Sequence, residues 1–309
     1  MSKEFTSPMP PKPQILILGQ QGQVAWELQR TLPLLGNITV LGSRDLDLAD
    51  THKLRDTIQT LRPQIVVNAA AYTAVDQAES DRETAKAINH TAPQILAEET
   101  AKLGALLVHY STDYVFDGSK KEPYVEDDAT NPLGVYGATK LGGEQSIQAV
   151  GGNHLIFRTT WVYGTRGKNF LLTILRLAAE KPELKIVADQ IGAPTWSRSI
   201  AEATAQVICQ WPHQPSSGLY HLSAAGVTSW YGFASKIVDF SRQMNVDSFA
   251  CTFGDRVLAV EKILPIPATD YPTPAARPSN SQLDSSKLWQ TFGVQLNNWE
   301  SDLELAMRQ

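Results

Sequence analysis

A doubly wound parallel α/β sheet with a smaller C-terminal α/β unit is the fold this 309-residue sequence predicts, and three observations predict it. Short uninterrupted apolar runs recur through the first half, as in parallel strands covered on both faces. Segments with helical spacing of apolar residues alternate with those runs. The first run passes directly into a glycine turn and then a helix. With 42% apolar residues the chain can build a sizeable core. A formal net charge of -5 and no long basic run argue against capture of nucleic acid or an anionic membrane. No stretch approaches a membrane span of about 20 apolar residues. Met1 to Lys12 lacks the apolar centre of a signal peptide, so a cytoplasmic location is expected. Cys209 and Cys251 are too few and too far apart for a disulfide framework or a zinc site.

Residues 1–13 are polar and carry Pro8, Pro10, Pro11 and Pro13, which predicts a disordered tail. Gln14 to Leu18 is the first strand. It runs into Gly19-Gln-Gln-Gly22-Gln23-Val24-Ala25 and a helical pattern containing Trp26, Leu28 and Leu32. A Gly-x-x-Gly turn is common by itself, but directly after a strand it is the dinucleotide-binding context, with the helix N-terminus at the pyrophosphate. Ile38 to Leu41 is the second strand. It ends at Gly42, Ser43 and Arg44 rather than at the acidic residue that would hold a ribose hydroxyl. A guanidinium and a hydroxyl suit a 2'-phosphate, so NADPH is expected ahead of NADH, against the competing reading of Arg44 as an ordinary loop residue. Asp47 to Leu61 reads as helix, Gln64 to Asn68 as the third strand, and Glu79 to Leu103 as one long helical segment. Leu106 to Tyr110 is the fourth strand, delivering Ser111, Thr112 and Asp113 to the sheet's carboxyl edge. Leu155 to Arg158 is the fifth.

The alternation makes residues 14–165 a Rossmann-like unit. Past residue 165 the rhythm changes. A helix from Phe170 to Ala179, a strand from Leu184 to Val187 and Pro-rich loops over Leu264 to Pro278 assign 166–309 mainly to a substrate-binding unit, with some segments returning to the first. Trp230, Tyr231 and the helix from Phe233 to Met244 read as core.

The chemistry centres on Tyr136-Gly-Ala-Thr-Lys140. On a helix these two residues share a face, one turn apart. A phenol titrates near ~10, and a fixed cation beside it lowers that value, turning Tyr136 into a usable acid. A Tyr-x-x-x-Lys spacing is often only a surface pair, and a Ser-Thr pair after a strand is often a cap. Together with Thr112 they make a hydroxyl, a phenol and an ammonium on successive elements of one sheet.

Further segments are more specific: Trp26 to Arg30, Val67 to Asp76, His109 to Phe116, Phe157 to Tyr163, Asp189 to Thr195 and Tyr271 to Ala275. On these the chain resembles the extended short-chain dehydrogenase/reductase superfamily, and within it the dTDP-4-dehydrorhamnose reductase family, from about Gln14 almost to the C-terminus. The resemblance implies reduction of a dTDP-4-keto sugar, with Thr112, Tyr136 and Lys140 as the catalytic set. It implies a cofactor pocket of Gly19, Gly22, Gln23, Val24, Asp47, Leu48, Ala71, Tyr72, Thr73 and Tyr110, joined by Ser43 and Arg44 from the reading above. Asp113 and Trp161 would touch the sugar, and Arg277 the diphosphate. Members of the family hold magnesium between two subunits through carboxylates. Here Glu27 remains, but Arg198 and Asn298 stand where the others are expected, so a monomer or a metal-independent homodimer is expected, without magnesium. Tyr114 following Thr112-Asp113 removes the carboxylate that a 4,6-dehydratase of this fold would need. Another nucleotide-sugar reductase or epimerase of the superfamily and a silent nucleotide-binding subunit are the remaining alternatives, and the joint presence of Thr112, Tyr136 and Lys140 favours an enzyme over the second.

Overall fold

Residues 12–243 and 258–308 are described by the computed structural model. Of the expectations above, most of the proline-rich tail, Met244 and Cys251 lie outside the described residues. The apolar runs form β1 Gln14–Leu18, β2 Asn37–Leu41, β3 Ile65–Asn68, β4 Leu106–Thr112 and β5 His154–Thr159. Between them lie α1 Gln23–Thr31, α2 Thr51–Leu61, α3 Val75–Ala78, α4 Arg82–Lys86, α5 Ala92–Leu103 and α6 Val135–Val150. Then follow β6 Val162–Tyr163, α7 Phe170–Glu180, β7 Glu183–Val187, β8 Ile191–Gly192, β9 Thr195–Trp196, α8 Ser197–Gln210, β10 Gly218–His221, β11 Thr228–Ser229, α9 Trp230–Gln243 and β12 Lys262–Ile266. Helices Ser286–Phe292 and Trp299–Met307 end the described chain.

The central sheet runs β2-β1-β3-β4-β5-β10 with every neighbouring pair parallel. Strand order reverses between β1 and β3, and in open sheets ligands bind in the crevice outside the strands' carboxyl ends at such a point. The two-residue alternation of a strand divides the core into two layers. Ile15, Ile17, Val67, Val108, Tyr110 and Phe157 face α1 and α8, while Leu16, Leu18, Val66, Leu107 and Ile156 face α2, α5 and α6. Each fully buried Leu, Ile or Val contributes about 1.5–3 kcal/mol. A separate core beside the sheet joins Leu171, Ile174, Leu184, Phe233, Ile237, Trp299 and Leu303. β10 and α8 come from the second half of the chain yet belong to the sheet and its covering layer.

Two helices depart from the sequence reading. The segment expected from Asp47 starts at Thr51, because Asp50 accepts from Lys53 N at 3.0 Å and Asp47 from Ala49 N at 2.9 Å, fixing turns ahead of the helix. The long helix expected over Glu79–Leu103 starts only at Arg82, after the turn that follows α3, and widens to a π turn over Ala87–Thr91. Pro93 has no N–H to donate to the carbonyl of Asn89, four residues earlier, which weakens the α ladder there.

One buried ion pair ties α6 to β5. Arg158 donates to both carboxylate oxygens of Glu144 at 2.9 and 2.7 Å, with the two side chains 4% and 1% exposed. The guanidinium also lies 4.9 Å from the Phe116 ring. Removing one member leaves an uncompensated charge in the core. Glu144→Ala is expected to lower unfolding stability by about 3–5 kcal/mol, and a double Glu144→Leu, Arg158→Leu variant to lose less, both read from urea denaturation midpoints.

Candidate active site

α6 begins where Val135 N donates to the Glu79 carboxylate at 2.8 Å, so its first turn, carrying Tyr136, is fixed from α3's side of the sheet. Four residues on, Lys140 is only 2% exposed. Its ammonium donates to the Tyr110 carbonyl at 2.5 Å and lies 3.4 Å from His109 Nε2. Burial brings Lys140 down to about 8, opposed by the negative charge of Glu144 one turn away. His109 in turn meets the Asn68 amide at 3.1 Å, and burial, then the Lys140 charge, hold it well below the usual histidine range.

Tyr136 does not carry the lowered value expected from its lysine. Burial pushes the phenol up to about 12, the Thr112 hydroxyl pulls it down by hydrogen bonding, and the Asp113 charge raises it further. The ammonium is directed at the Tyr110 carbonyl, and the half-buried phenolate would be poorly solvated. Tyr114 stands edge-on to Tyr136 with ring centroids 5.5 Å apart. Thr112 donates to Asp113 Oδ1 at 3.1 Å, and burial raises the Asp113 carboxyl to about 6. The hydroxyls of Ser111 and Thr159 are buried without a protein hydrogen-bond partner, while Ser281 and Thr160 stand near enough to Asp113 to offset part of the effect of burial on its carboxyl. All of these groups lie at or beside the carboxyl ends of neighbouring β4 and β5 or pack against them.

On the β1 side, Gly19 takes φ 101°, and a Cβ there would lie 2.8 Å from Ala70 N. Only glycine lets these two backbones meet and leave an open cradle. Gly22 is the N-cap of α1 with no side-chain cap, so the first N–H groups of a nine-residue helix stay available to an anion. Gln23 accepts from Asn169 at 2.9 Å, and Val24 packs on the core. This cradle fits a dinucleotide pyrophosphate. Ala71, Tyr72 and Thr73 follow β3. Asn89, inside the π turn, accepts from Tyr72 N at 2.9 Å and donates to Tyr72 O at 3.0 Å, setting that backbone. Ser43 and Arg44 are exposed in the turn after β2.

Several expected site residues are already engaged by the protein. Alternation along β4 turns the Tyr110 ring to the α8 layer, where its hydroxyl meets Thr204 at 2.8 Å. Its carbonyl is the part that reaches the site. Leu48 is 8% exposed and belongs to the core. The turn after β2 does contain a carboxylate, since Asp45 folds back to accept from Gly42 N at 2.9 Å. Arg277 is held by Asp76 through two 2.9 Å contacts and lies 6.0 Å from the Tyr114 ring, so a phosphate would have to compete with that carboxylate. Trp161 follows β5, half-buried against Trp230. Glu27 lies 3.6 Å from Arg30, Arg198 bonds Glu202 at 2.8 Å, and Asn298 caps the last helix by accepting from Glu300 N at 2.9 Å. Among the described residues no group of three or more metal-ligating side chains forms, and no helix is long and apolar enough to cross a membrane. Asn89, Asp76 and Trp230 are the site-building residues the sequence reading missed.

Asp113 sets a measurable pH dependence. Its folded value of about 6 exceeds the ordinary 3.8, so the protonated carboxyl favours folding below pH 4 and that contribution disappears as pH rises through 6. Asp113→Asn is expected to gain about 2–3 kcal/mol over the parent chain between pH 4 and 7. Denaturation of both proteins across that range checks it, and a constant difference would remove the assignment.

The family model described as the RmlD substrate binding domain matches residues 13–309. A dTDP-4-dehydrorhamnose reductase of Burkholderia thailandensis is 48% identical over 95% of this chain and 98% of its own length. One from Escherichia coli is 44% identical over 93% and 94%. Among solved structures, the dTDP-4-dehydrorhamnose reductase of Bacillus anthracis in complex with NADP superposes with a TM-score of 0.85 at 34% identity, covering 96% of this chain and 98% of that one. With a match along nearly its whole length, this chain belongs to the dTDP-4-dehydrorhamnose reductase family.

Proposed function

We propose that this chain uses NADPH to reduce the C4 ketone of dTDP-4-dehydro-6-deoxy-L-mannose (dTDP-4-dehydrorhamnose) to dTDP-L-rhamnose, the last step of dTDP-L-rhamnose synthesis. The observation that carries the reading is the convergence of Thr112, Tyr136 and Lys140 within a chain 48% identical to a reductase of that name. When bound, NADPH supplies the hydride that adds to C4. Gly19, Gly22, Gln23 and Val24 would hold its pyrophosphate, and Ala71, Tyr72 and Thr73 its nicotinamide side. Ser43 and Arg44 support NADPH over NADH, while the Asp45 carboxylate in the same turn keeps NADH possible. Tyr136 gives its proton to the sugar oxygen as negative charge develops there. An alkoxide is far more basic than a phenolate, so the transfer runs forward even from a phenol pushed up to about 12. Thr112 steadies that oxygen by hydrogen bonding, and Lys140, one turn behind with its ammonium on the Tyr110 carbonyl, would bond the nicotinamide ribose. Asp113, Trp161 and Arg277 would bind the dTDP-sugar. NADPH and two scattered cysteines suit the cytoplasm.

Tyr136→Phe is expected to lower kcat by about 10²–10⁴-fold, read as loss of reduced-nicotinamide absorbance with dTDP-4-dehydrorhamnose and run in parallel with NADH. Cofactor binding without oxidation by the parent chain would point instead to a silent nucleotide-binding subunit. We further propose that the chain works without magnesium, as a monomer or metal-independent homodimer. Arg198 cannot ligate a hard cation and already pairs with Glu202. A dimer that forms only as magnesium is raised in sizing experiments would refute this.

A further inference from the structure

Trp161 stands out in the backbone. Its φ is 45°, the left-handed region, and it is one of two non-glycine residues with positive φ among the described residues. For a bulky side chain that conformation is strained and persists only where the surroundings over-determine it. The surroundings here can be named. The indole of Trp230 stacks on that of Trp161, with centroids 3.6 Å apart and planes 11° from parallel. Phe170 supports Trp230 at 4.6 Å and joins Phe233 at 5.4 Å, so the stack is rooted in the second core. β8 and β11 pair antiparallel, with Thr228 opposite Gly192, and Trp230 follows β11 directly. The ribbon thereby brings Gly192 against the same indole, and a Cβ on Gly192 would fall 2.7 Å from Trp161 Cε2. The Trp161 carbonyl accepts from Thr195 N at 3.2 Å. Neither Trp230 nor Gly192 has a role in the reaction as derived above, yet together they fix where Trp161 can be.

We infer that Trp230 and Gly192 are positioning residues that hold Trp161 in its strained conformation and so set how tightly the sugar of the nucleotide-sugar substrate is bound. The inference rests on the reading that Trp161 faces that sugar. Trp230 acts only through the indole it stacks on, and Gly192 by leaving that indole its space. The glycines of the cofactor cradle follow β1 and β3 rather than β5, and the cradle meets the stack's surroundings only through Gln23 and Asn169, so the NADPH KM serves as the control.

The test is a double-mutant cycle in the full-length chain, with KM for the dTDP-4-keto sugar and for NADPH measured on Trp161→Ala, Trp230→Ala and the double variant, and folding checked by thermal unfolding. Trp230→Ala is expected to raise the sugar KM about three- to tenfold, the worth of one aromatic pair, with the NADPH KM unmoved. Trp230→Phe should restore most of the loss. The double variant should bind the sugar no worse than Trp161→Ala alone. Gly192→Ala, which leaves Trp230 intact, should reproduce the raised sugar KM. An unchanged sugar KM in Trp230→Ala, or effects that add in full in the double variant, overturns the inference. An unchanged sugar KM in Trp161→Ala would instead remove the reading beneath it. If the parent chain does not turn over the ketone, the proposed reaction fails separately, and calorimetric binding of dTDP-rhamnose to the same variants decides the positioning role.

Discussion

The interaction on which the site depends is the bond from the Lys140 ammonium to the Tyr110 carbonyl. It lies at the contact between α6 and β4, and it can form only because a strand alternates. The Tyr110 ring leaves toward α8, its neighbour His109 faces the α6 layer beside the ammonium, and the Tyr110 carbonyl accepts from Lys140. A one-residue slip of β4 would exchange these faces and place a phenol where the lysine must enter. The same register sets Thr112 opposite Thr159 at the sheet's carboxyl edge. Chemistry and packing are thus fixed by one strand.

The second consequence is electrostatic. Burial moves every titratable group at the centre toward its neutral form: Tyr136 up, Asp113 up, Lys140 and His109 down. Water is the ordinary stabiliser of charge, and here it is largely excluded. The developing alkoxide of a reduction would then meet fixed donors rather than solvent, and donors already oriented need no reorganisation as charge appears. Glu144 opposes the trend at Lys140, but that carboxylate is committed to Arg158, so its help is limited. The site therefore trades folding stability for chemistry, most plainly at Asp113.

Much of this was legible in the sequence because it is periodic or locally forced. The apolar runs marked the five first strands of the sheet, and the glycine turn followed the first of them as read. The Tyr-Lys spacing placed both residues on one helix. What could not be read depends on long-range contact. Nothing local shows which way Tyr110 points until β4 has neighbours on both faces. Asp45 went unread in the turn after β2 because nothing local shows that it folds onto Gly42, and Arg277 was expected at the diphosphate because nothing local shows Asp76, two hundred positions away in the chain, reaching it. The missing lysine effect on Tyr136 has the same origin, since spacing sets proximity along a helix but not where an ammonium finds its acceptor. Residue Trp230 read as core, which it is on the Phe170 side, while its other face meets Trp161.

The arrangement separates reaction from recognition. Thr112, Tyr136 and Lys140 sit on β4 and α6, elements locked by the sheet and by the Glu144–Arg158 pair. The residues proposed to meet the sugar nucleotide sit instead on connections: Trp161 in the turn after β5, and Arg277 in the segment that follows β12. Their main side-chain partners differ in kind, a stacked indole for one and a carboxylate for the other. Such contacts can be exchanged without disturbing the sheet, which is how one scaffold comes to serve many nucleotide-sugar chemistries. A strained residue is tolerable in that position for the same reason. Its cost falls on a loop anchored in the second core, and the strands that carry the proton donor do not share it.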